Sequence, residues 1–487
     1  MARQPTLPRP IRAALLATIA IVAAPALADD LREALVMAYN TNPTLQAARA
    51  QQRATDEGVP IARAAGLPSL SGTATYTEFV KRSSNSFTAP ERAVSAQGNL
   101  SVPIFSGGAV KNSIRAAKVR VEAGQADLRG TESGVFAQVV AAYMDVIQNQ
   151  AIVGLSRNNV QVLTVNTQAT RDRFEIGDLT RTDVAQSQAR QALARGNLRT
   201  AEANLTAARE RYIQLVGKAP VDLQPPPPLP GIPASPDEAV QVALDNNPDL
   251  IAARERSKAA GYDTDVAGAG RLPKISVFTG ADYTDYLGTL GGSSVPVGTF
   301  TQRQTTAQAG VRATIPIFQG GLPAAQQRQA QAREGATMEQ EIGVEREVIA
   351  TVRSAFSSWR AANEIIMMNQ TAVDAATLSL EGVRAENTVG NRTILDILNA
   401  EQELLNAQVQ LVTARRNAYV AGFNLLSAMG KAEAQDLGLD GGPLYDPEVN
   451  YERVRGKFFD WDRDPDPKAQ STRTVDTPAQ DGSIPPQ

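Results

Sequence analysis

The amino-acid sequence predicts a mainly α-helical chain with membrane β-strands, in which an outer-membrane β-barrel continues into an α-helical coiled-coil barrel. Long stretches with little or no proline, rich in Ala, Gln, Val and Arg, predict unusually long helices. Four short segments alternate polar residues with small apolar ones, which indicates strands with one polar and one apolar face. The motifs of residues 29–218 return in residues 237–439, so the chain contains two internal repeats.

Residues 1–28 are predicted to form a secretory signal peptide. Three arginines precede an apolar run, and Ala26-Leu27-Ala28 offers the small residues of a cleavage site. We expect the mature chain to begin at Asp29. The alternative, a membrane anchor, requires about 20 apolar residues and lacks such a cleavage site.

Composition excludes several kinds of function. The chain has no cysteine and no histidine, so disulfides, His or Cys zinc sites, Ser-His-Asp triads and Cys-His dyads are unavailable. A formal net charge of −3 gives no basis for binding nucleic acid. A hydrolase or lyase that uses carboxylates alone remains compatible with the composition, but the sequence shows no pair of acids in a plausible cleft. We expect no catalytic residue, no metal, no cofactor and no nucleic-acid partner.

The first repeat, residues 29–218, begins with short helices and then changes period. Asn42 is placed to cap a helix whose first residue is Pro43, where the missing N–H costs nothing. The predicted elements of this repeat are a helix at 31–39, a helix from 43 to about 65, strands near 70–76 and 96–104, a helix at about 109–176, and a helix from 180 to 215. The repeat therefore reads as helix, two strands and a long helical hairpin.

A proline-rich connector, residues 219–236, leads to the second repeat and should be extended and semi-rigid. Asn42-Pro43 returns as Asn247-Pro248 after 205 residues, and the glycine pair 107–108 returns as 320–321 after 213 residues. The second pair of strands is predicted at 275–286 and 305–317. Residues 440–487 form a polar C-terminal tail that we expect to be largely disordered, above all from 464 onward.

The longest helical pattern, Val389–Gly430, contains a narrow apolar stripe. Residues in this stripe recur every seventh position: Leu398, Leu405, Val412, Tyr419 and Leu426. Such a repeat predicts coiled-coil packing against a second helix. The hairpin turn is predicted at Gly390, with Thr393 capping the following helix, and the first repeat has the equivalent turn at Gly177.

Four strands cannot close a barrel alone, and a sheet edge cannot lie in lipid. If the strands enter outer-membrane lipid, the chain must therefore assemble, with twelve strands from three chains or eight from two. A small soluble sheet is the alternative, although it would need larger apolar residues in its core. A helix of about seventy residues spans about 100 Å, and the shorter helices of each repeat could stack end to end to match it. Paired helices of this length would make a hollow conduit.

The motifs that have been described resemble those of the TolC family of outer-membrane efflux ducts, over about residues 31–439. The resemblance includes both Asn-Pro helix starts, SVPIFSGG and TIPIFQGG at the ends of the second strands, and VGNRTILDILNA at the second hairpin turn. It implies a homotrimer with a twelve-stranded barrel in the outer membrane and a helical tunnel in the periplasm. Its implied partners are a periplasmic adaptor (membrane fusion) protein and an inner-membrane pump or ABC secretion transporter.

The resemblance also implies a periplasmic gate at the hairpin turns. By motif match, Arg392 would be the basic partner, and Thr182 with Asp183 would be the acceptors on the other hairpin. The alternative is that Arg392 is a surface charge at a helix end and that Asp183 is a first-turn acid stabilised by the helix dipole.

A lumen acidic ring is implied at Asp396, for which the same first-turn alternative holds. Two positions depart from the family pattern. Asn387 stands where the family often has a gate tyrosine, and Asn399 stands where it can have a second lumen aspartate.

The function expected from these features is a passive exit duct for small molecules, proteins or both, in a tripartite efflux pump or a type I secretion system. A periplasmic coiled-coil adaptor or scaffold is the alternative. Such a protein would keep the helical hairpins but would have no membrane barrel.

Overall fold

The computed structural model describes residues 30–81, 89–291, 300–439 and 444–484, which contain ten α-helices and four strands. The predicted signal peptide, 1–28, lies outside the described residues. The helices and strands are α1 (Leu31–Thr41), α2 (Pro43–Asp56), α3 (Gly58–Ala64), β1 (Ser69–Glu78), β2 (Arg92–Phe105), α4 (Ala109–Glu175), α5 (Arg181–Val216), α6 (Pro236–Asn246), α7 (Pro248–Gly268), β3 (Lys274–Asp285), β4 (Arg303–Thr314), α8 (Leu322–Thr388), α9 (Ile394–Ala428) and α10 (Pro447–Val454). None of the described helices combines the length and the apolar character needed to cross a membrane.

The helix predicted from 43 to about 65 is in fact two helices, α2 and α3, which meet at Glu57. Pro60 explains the break, because its ring lacks an N–H and would clash with the carbonyl four residues earlier in a continuous helix. The strand predicted to end at 317 ends instead at Thr314. The other predicted elements have their counterparts in the structure within a few residues.

The two Asn-Pro motifs join shorter helices end to end. The Asn42 side chain caps α2 by accepting from the Thr44 amide at 2.9 Å, and its amide donates to the Leu215 carbonyl at the end of α5 at 2.9 Å. Asn247 does the same in the second repeat, capping α7 and donating to the Ala428 carbonyl of α9 at 2.9 Å. Each asparagine therefore provides hydrogen bonds to an amide at the start of one helix and to a carbonyl at the end of another. These backbone groups would otherwise be unpaired at the junction.

The two long helices, α4 and α8, are 67 residues each and so span about 100 Å. In the half near the strands, α4 lies between α2–α3 and α7, and α8 packs on α7. In the other half, α4 lies between α5 and α9, and α8 packs on α9. The helices therefore form a wall with α8 at one edge and α5, stacked under α2–α3, at the other. The main hydrophobic core lies where the stacked helices meet, around Phe136, Tyr143, Tyr212 and Phe423.

The strands form one antiparallel sheet in chain order, β1-β2-β3-β4. The central pairing joins the two repeats, with Gly98 opposite Ala281, and a bulge between Pro103 and Phe105 ends its regular register. Side chains on both faces of β1 and β4 are exposed. Among the described residues, β1 pairs only with β2 and β4 pairs only with β3, so the sheet is open at both edges within one chain.

The C-terminal tail differs from the prediction of a largely disordered segment. Helix α10 packs on α2, and the chain then passes along α5 and α4. The Gln480 amide donates to Glu210 at 2.9 Å, Arg209 donates to the Asp481 carbonyl at 2.6 Å, and Arg157 of α4 donates to the Ile484 carbonyl at 3.3 Å. Residues 444–484 of the tail therefore find hydrogen-bond partners on this surface of the helical wall, which their own polar composition does not reveal.

Candidate functional site

The candidate site is the end of the helical wall that carries the two hairpin turns. Gly177 and Gly390 have φ angles of 83° and 82°, a left-handed conformation that glycine adopts without a Cβ penalty. Each turn is followed by a helix that begins with a capping box. Thr180 and Asp183 form the first box, and Thr393 and Asp396 form the second, so the predicted turns and caps are both present.

The carboxylates of the two capping boxes are engaged within their own turns. Asp183 accepts from the amide and the hydroxyl of Thr180, at 2.9 and 2.7 Å. Asp396 accepts from the same groups of Thr393, at 2.9 and 2.8 Å. These hydrogen bonds favour the charged form and hold the pKa of each carboxyl below its ordinary value.

The lowered pKa of Asp183 predicts how the first turn responds to acid. The capping contribution is complete above the ordinary pKa of an unfolded aspartate and is lost as the pH falls through the lower, folded pKa. We expect amide hydrogen exchange at 180–184, corrected for its intrinsic pH dependence, to rise only in that acidic range. Asp183→Asn should remove the pH dependence. An unchanged profile in that variant would mean that another group controls the turn.

Arg392 is engaged by residues of its own hairpin. Its Nε donates to Glu386 Oε2 at 2.7 Å, and Asn387 Nδ2 donates to its carbonyl oxygen at 2.7 Å. Within one chain, Arg392 is therefore not joined to Thr182 or Asp183. Asn387, at the position where the family often has a gate tyrosine, closes the turn at the backbone.

Close to the turns, two polar links connect the described residues of the two hairpins, and neither was predicted. Arg190 on α5 donates to Asn399 Oδ1 on α9 at 2.9 Å. Asn399 was noted only as a departure from the family pattern, yet it is the acceptor that joins the two repeats here. The second link involves Glu401, two residues later on α9.

Glu401 lies buried between three helices. Its side chain is only 5% exposed, and Oε1 accepts from Asn166 of α4 at 2.8 Å and from Arg384 of α8 at 3.1 Å. Oε2 is also buried and has no hydrogen-bond partner among the described residues. One feature of the sequence could have indicated that Glu401 is buried. Glu401 lies three positions after Leu398, on the predicted apolar stripe, where a charged side chain is unexpected.

The polar links stand beside a small apolar cluster and continue along α4. Leu163, Ala194 and Leu398 are buried together between α4, α5 and α9. Farther from the turns, Arg416 of α9 donates to Asp145 of α4 at 2.8 Å. The two hairpins are thus held side by side by a seam of separate polar contacts with apolar contacts between them.

The arrangement supports a structural role for these charges. The described residues contain no group of three or more His, Cys, Asp or Glu side chains that could hold a metal ion. The charged groups at the turns instead cap helices or join one helix to another. Such contacts hold the ends of the two hairpins side by side within one chain.

Comparison with known proteins agrees with this architecture. The family model described as "Outer membrane efflux protein" matches residues 34–218 and 239–431. The outer membrane efflux protein BepC of Brucella suis is 34% identical over 447 residues, which are 92% of this chain and 95% of that protein. The outer membrane protein TolC of Escherichia coli is 28% identical, with 84% of each chain covered. The alkaline protease secretion protein AprF of Pseudomonas aeruginosa is 26% identical over 318 residues, 64% of each chain.

The solved structures show the same fold. The outer membrane protein VceC of Vibrio cholerae aligns with a TM-score of 0.70 at 22% identity, over 82% of this chain and 96% of that one. The resemblance to the TolC family inferred from the motifs is confirmed by these matches. The chain therefore belongs to the outer membrane efflux protein family and is an outer-membrane protein whose helical body lies in the periplasm.

Proposed function

We propose that three copies of this chain form one continuous tube that serves as the exit duct of a tripartite efflux pump or a type I secretion system. The observation that carries the proposal is the open four-stranded sheet at one end of a wall about 100 Å long. Lipid cannot satisfy the backbone groups of a sheet edge, so β1 of one copy must pair with β4 of another. A soluble periplasmic scaffold would not require a sheet with two open edges.

The edge helix α8 supports assembly along the tunnel. Long α4 buries residues along most of its length, whereas the buried residues of α8 are only Val348, Val352, Phe356, Ala376 and Leu380. Met367 and Met368 are 67% exposed and Leu378 is 71% exposed. In a closed tube, these side chains would pack on α5 of the neighbouring copy.

The partners follow from the position of the duct. A tube that ends in the periplasm needs an inner-membrane pump or an ABC secretion transporter to drive export, and a periplasmic adaptor to join the two. One relative is named for efflux and another for protease secretion. The cargo class therefore comprises small molecules, proteins or both, and the chain itself acts as a passive conduit and not as an enzyme.

Mass measurement and imaging in detergent test the assembly. We expect a particle of three chains with a tubular body, and single-channel currents after reconstitution into planar bilayers. The full 487-residue chain has a mass of 51.8 kDa, and removal of the predicted signal peptide lowers it only slightly, so dimer and trimer are easily resolved. A monomer that keeps its full β-strand content, or a dimer with a closed eight-stranded barrel, would contradict the proposal.

We further propose that the hairpin turns close the tunnel, with Arg392 of one protomer reaching Thr182 and Asp183 of the next. Arg392→Ser and Asp183→Ala should then raise single-channel conductance, because a threefold set of links is lost at once. Arg195→Ser, which removes an exposed arginine of α5 away from the turn, is the matched control. Conductance equal to that control, in an intact trimer, would show that Arg392 does not close the tunnel.

Asp396 is proposed to face the lumen as a ring of three acids. A ring of carboxylates in a narrow pore attracts cations. Asp396→Ala should therefore lower cation selectivity and weaken block by multivalent cations, with the measurement made as reversal potentials in asymmetric salt. Unchanged selectivity would place the Asp396 carboxylate outside the ion path.

A further inference from the structure

A group of exposed aromatic side chains follows α10. Phe458, Phe459 and Trp461 are 77%, 66% and 85% exposed, within four consecutive residues. The segment that carries them is held at its base by ion pairs, from Arg453 to Asp464 at 2.7 Å and from Lys457 to Asp462 at 3.1 Å. Water-exposed aromatic rings grouped in this way mark an interaction surface. We call Lys457–Asp462 the aromatic loop.

The aromatic loop lies close to the periplasmic end of the sheet. Tyr451 of α10 packs against a small apolar cluster that includes Val59 of α3, and Arg63 of α3 donates to the Arg455 carbonyl at 3.3 Å. Helix α3 ends at Ala64, and β1 begins only five residues later. The aromatic loop therefore stands at the level where the helical wall meets the membrane strands.

A basic stripe lies at the same level on α4. Lys111, Arg115 and Lys118 are exposed and share one helix face, and α4 begins four residues after β2 ends. Among the described residues, none of the three has an acidic partner at ion-pair distance. They border a groove of about 590 Å³ that also contains the apolar side chains of Ile104 and Phe105.

The basic stripe and the C-terminal segment occupy the same side of the wall. Continued at heptad spacing, the stripe reaches Arg129 and Glu132. Arg129 donates to Glu433 at 2.8 Å, and Glu132 accepts from the Ala434 amide at 2.6 Å, so this face of α4 carries the C-terminal segment. The face that bears the stripe is thus the face along which the chain runs to α10 and the aromatic loop.

The second repeat does not reproduce the stripe. At the positions 213 residues later, α8 has Ala324, Arg328 and Gln331. A basic stripe needed only to build the strand-to-helix junction would be expected in both repeats. The stripe occurs only on the side of the wall that carries the aromatic loop, and this restriction favours a role in binding over a role in building the junction.

We propose that the basic stripe and the aromatic loop together bind anionic phospholipid in the periplasmic leaflet of the outer membrane. Aromatic rings favour the headgroup level of a bilayer, where one part of the ring is in an apolar and another in a wet environment. Lys and Arg side chains at that level attract anionic headgroups. The apolar groove beside the stripe accommodates the start of an acyl chain. The surface extends the lipid-facing region of the strands onto the helical wall. It thereby sets the position of the helical wall relative to the membrane.

The two tryptophans of the chain make the aromatic part testable. Trp359→Phe leaves Trp461 as the only tryptophan, and Trp461→Phe leaves Trp359, which packs on Phe356 at 5.7 Å in the helical wall. Both variants are reconstituted as full-length trimers in vesicles of phosphatidylcholine with brominated phosphatidylglycerol. We expect Trp461 to lose most of its fluorescence to the brominated lipid and to be protected from aqueous acrylamide. Trp359 should show no quenching by the lipid.

Two results would overturn this part of the proposal. Trp461 that is quenched by acrylamide and not by brominated lipid would lie in water. Trp461 that is protected from both quenchers would be covered by a neighbouring protein chain instead of lipid. Each result is readable in an intact trimer, so neither depends on the export activity.

The basic stripe is tested by lipid selectivity. The triple variant Lys111→Gln, Arg115→Gln, Lys118→Gln should lose the preference for phosphatidylglycerol over phosphatidylcholine among lipids retained in native mass spectrometry. The control Arg195→Gln, Arg199→Gln, Arg211→Gln makes the same change of charge on α5, far from the strands. Equal retention in both variants would contradict the role of the stripe. Loss of retained phosphate ion alone, with lipid selectivity unchanged, would also contradict it.

Discussion

Substitution of Gly430 by alanine should strongly reduce the amount of folded protein. Gly430 follows α9 with a φ of 70°, and a Cβ at this position would lie 2.7 Å from the Asn246 carbonyl carbon and closer still to its oxygen. These are backbone atoms at the junction that Asn247 closes, so they cannot turn aside. The left-handed conformation costs about 1–2 kcal/mol in an alanine. Overpacking against backbone adds about 1–3 kcal/mol.

Two other glycines are controls for the Gly430 prediction. Gly390→Ala has the same left-handed conformation but open space around the new Cβ, so it should show the conformational cost alone. Gly217→Ala, at the equivalent position of the first repeat, meets the Thr472 hydroxyl at 2.7 Å, a side chain that can rotate away. The measurement is the thermal unfolding midpoint of purified protein, expected to fall most for Gly430→Ala. Equal shifts for Gly390 and Gly430 would refute the argument from backbone contact.

Glu401→Ala should loosen the periplasmic end of the wall more than any other single change to its polar links. The substitution leaves Arg384 and Asn166 without their shared acceptor on α9 and opens a space between three helices. Losing a buried partner costs about 1–3 kcal/mol in each chain. The lower half of this range applies to Arg384, because its side chain is 49% exposed and can turn to water.

The expected readouts are faster hydrogen exchange at 384–401 and a higher single-channel conductance. Glu403→Ala is the matched control, because it removes an exposed carboxylate two residues away on the same helix. The double variant Glu401→Leu, Arg384→Leu should recover part of the loss, since a leucine at 401 fills the space between the helices and no charge is left without its partner. Exchange and conductance that match the Glu403 control would mean that the Glu401 contacts do not hold the hairpins.

The local features of the fold were predictable because their determinants lie within a few residues of one another. A threonine cap reaches an amide three residues later, and Asn42 caps the helix that starts at the next residue. The left-handed turns need glycine, and Gly177 and Gly390 stand there. Because the chain contains two repeats, each of these features could be predicted in both.

The break between α2 and α3 was also determined locally, by Pro60, but the continuous pattern on both sides favoured a single helix. The tail shows a different limit. Its composition predicts disorder, whereas its order comes from Arg209 and Glu210 on a helix about 270 residues earlier in the chain. Polar residues can be ordered when a fixed surface supplies their hydrogen-bond partners.

The sequence by itself determined the two repeats, the long hairpins with their turns and caps, and the four strands that cannot close in one chain. Only the tertiary structure decided which polar side chains meet. Arg190 and Asn399 are 209 residues apart, and Asn166 and Glu401 are 235 apart. A helical period shows which residues share a face, but the side chain opposite depends on how two helices are aligned along their axes. That alignment is set by packing along the whole length of the wall, including the stacked junctions at Asn42 and Asn247.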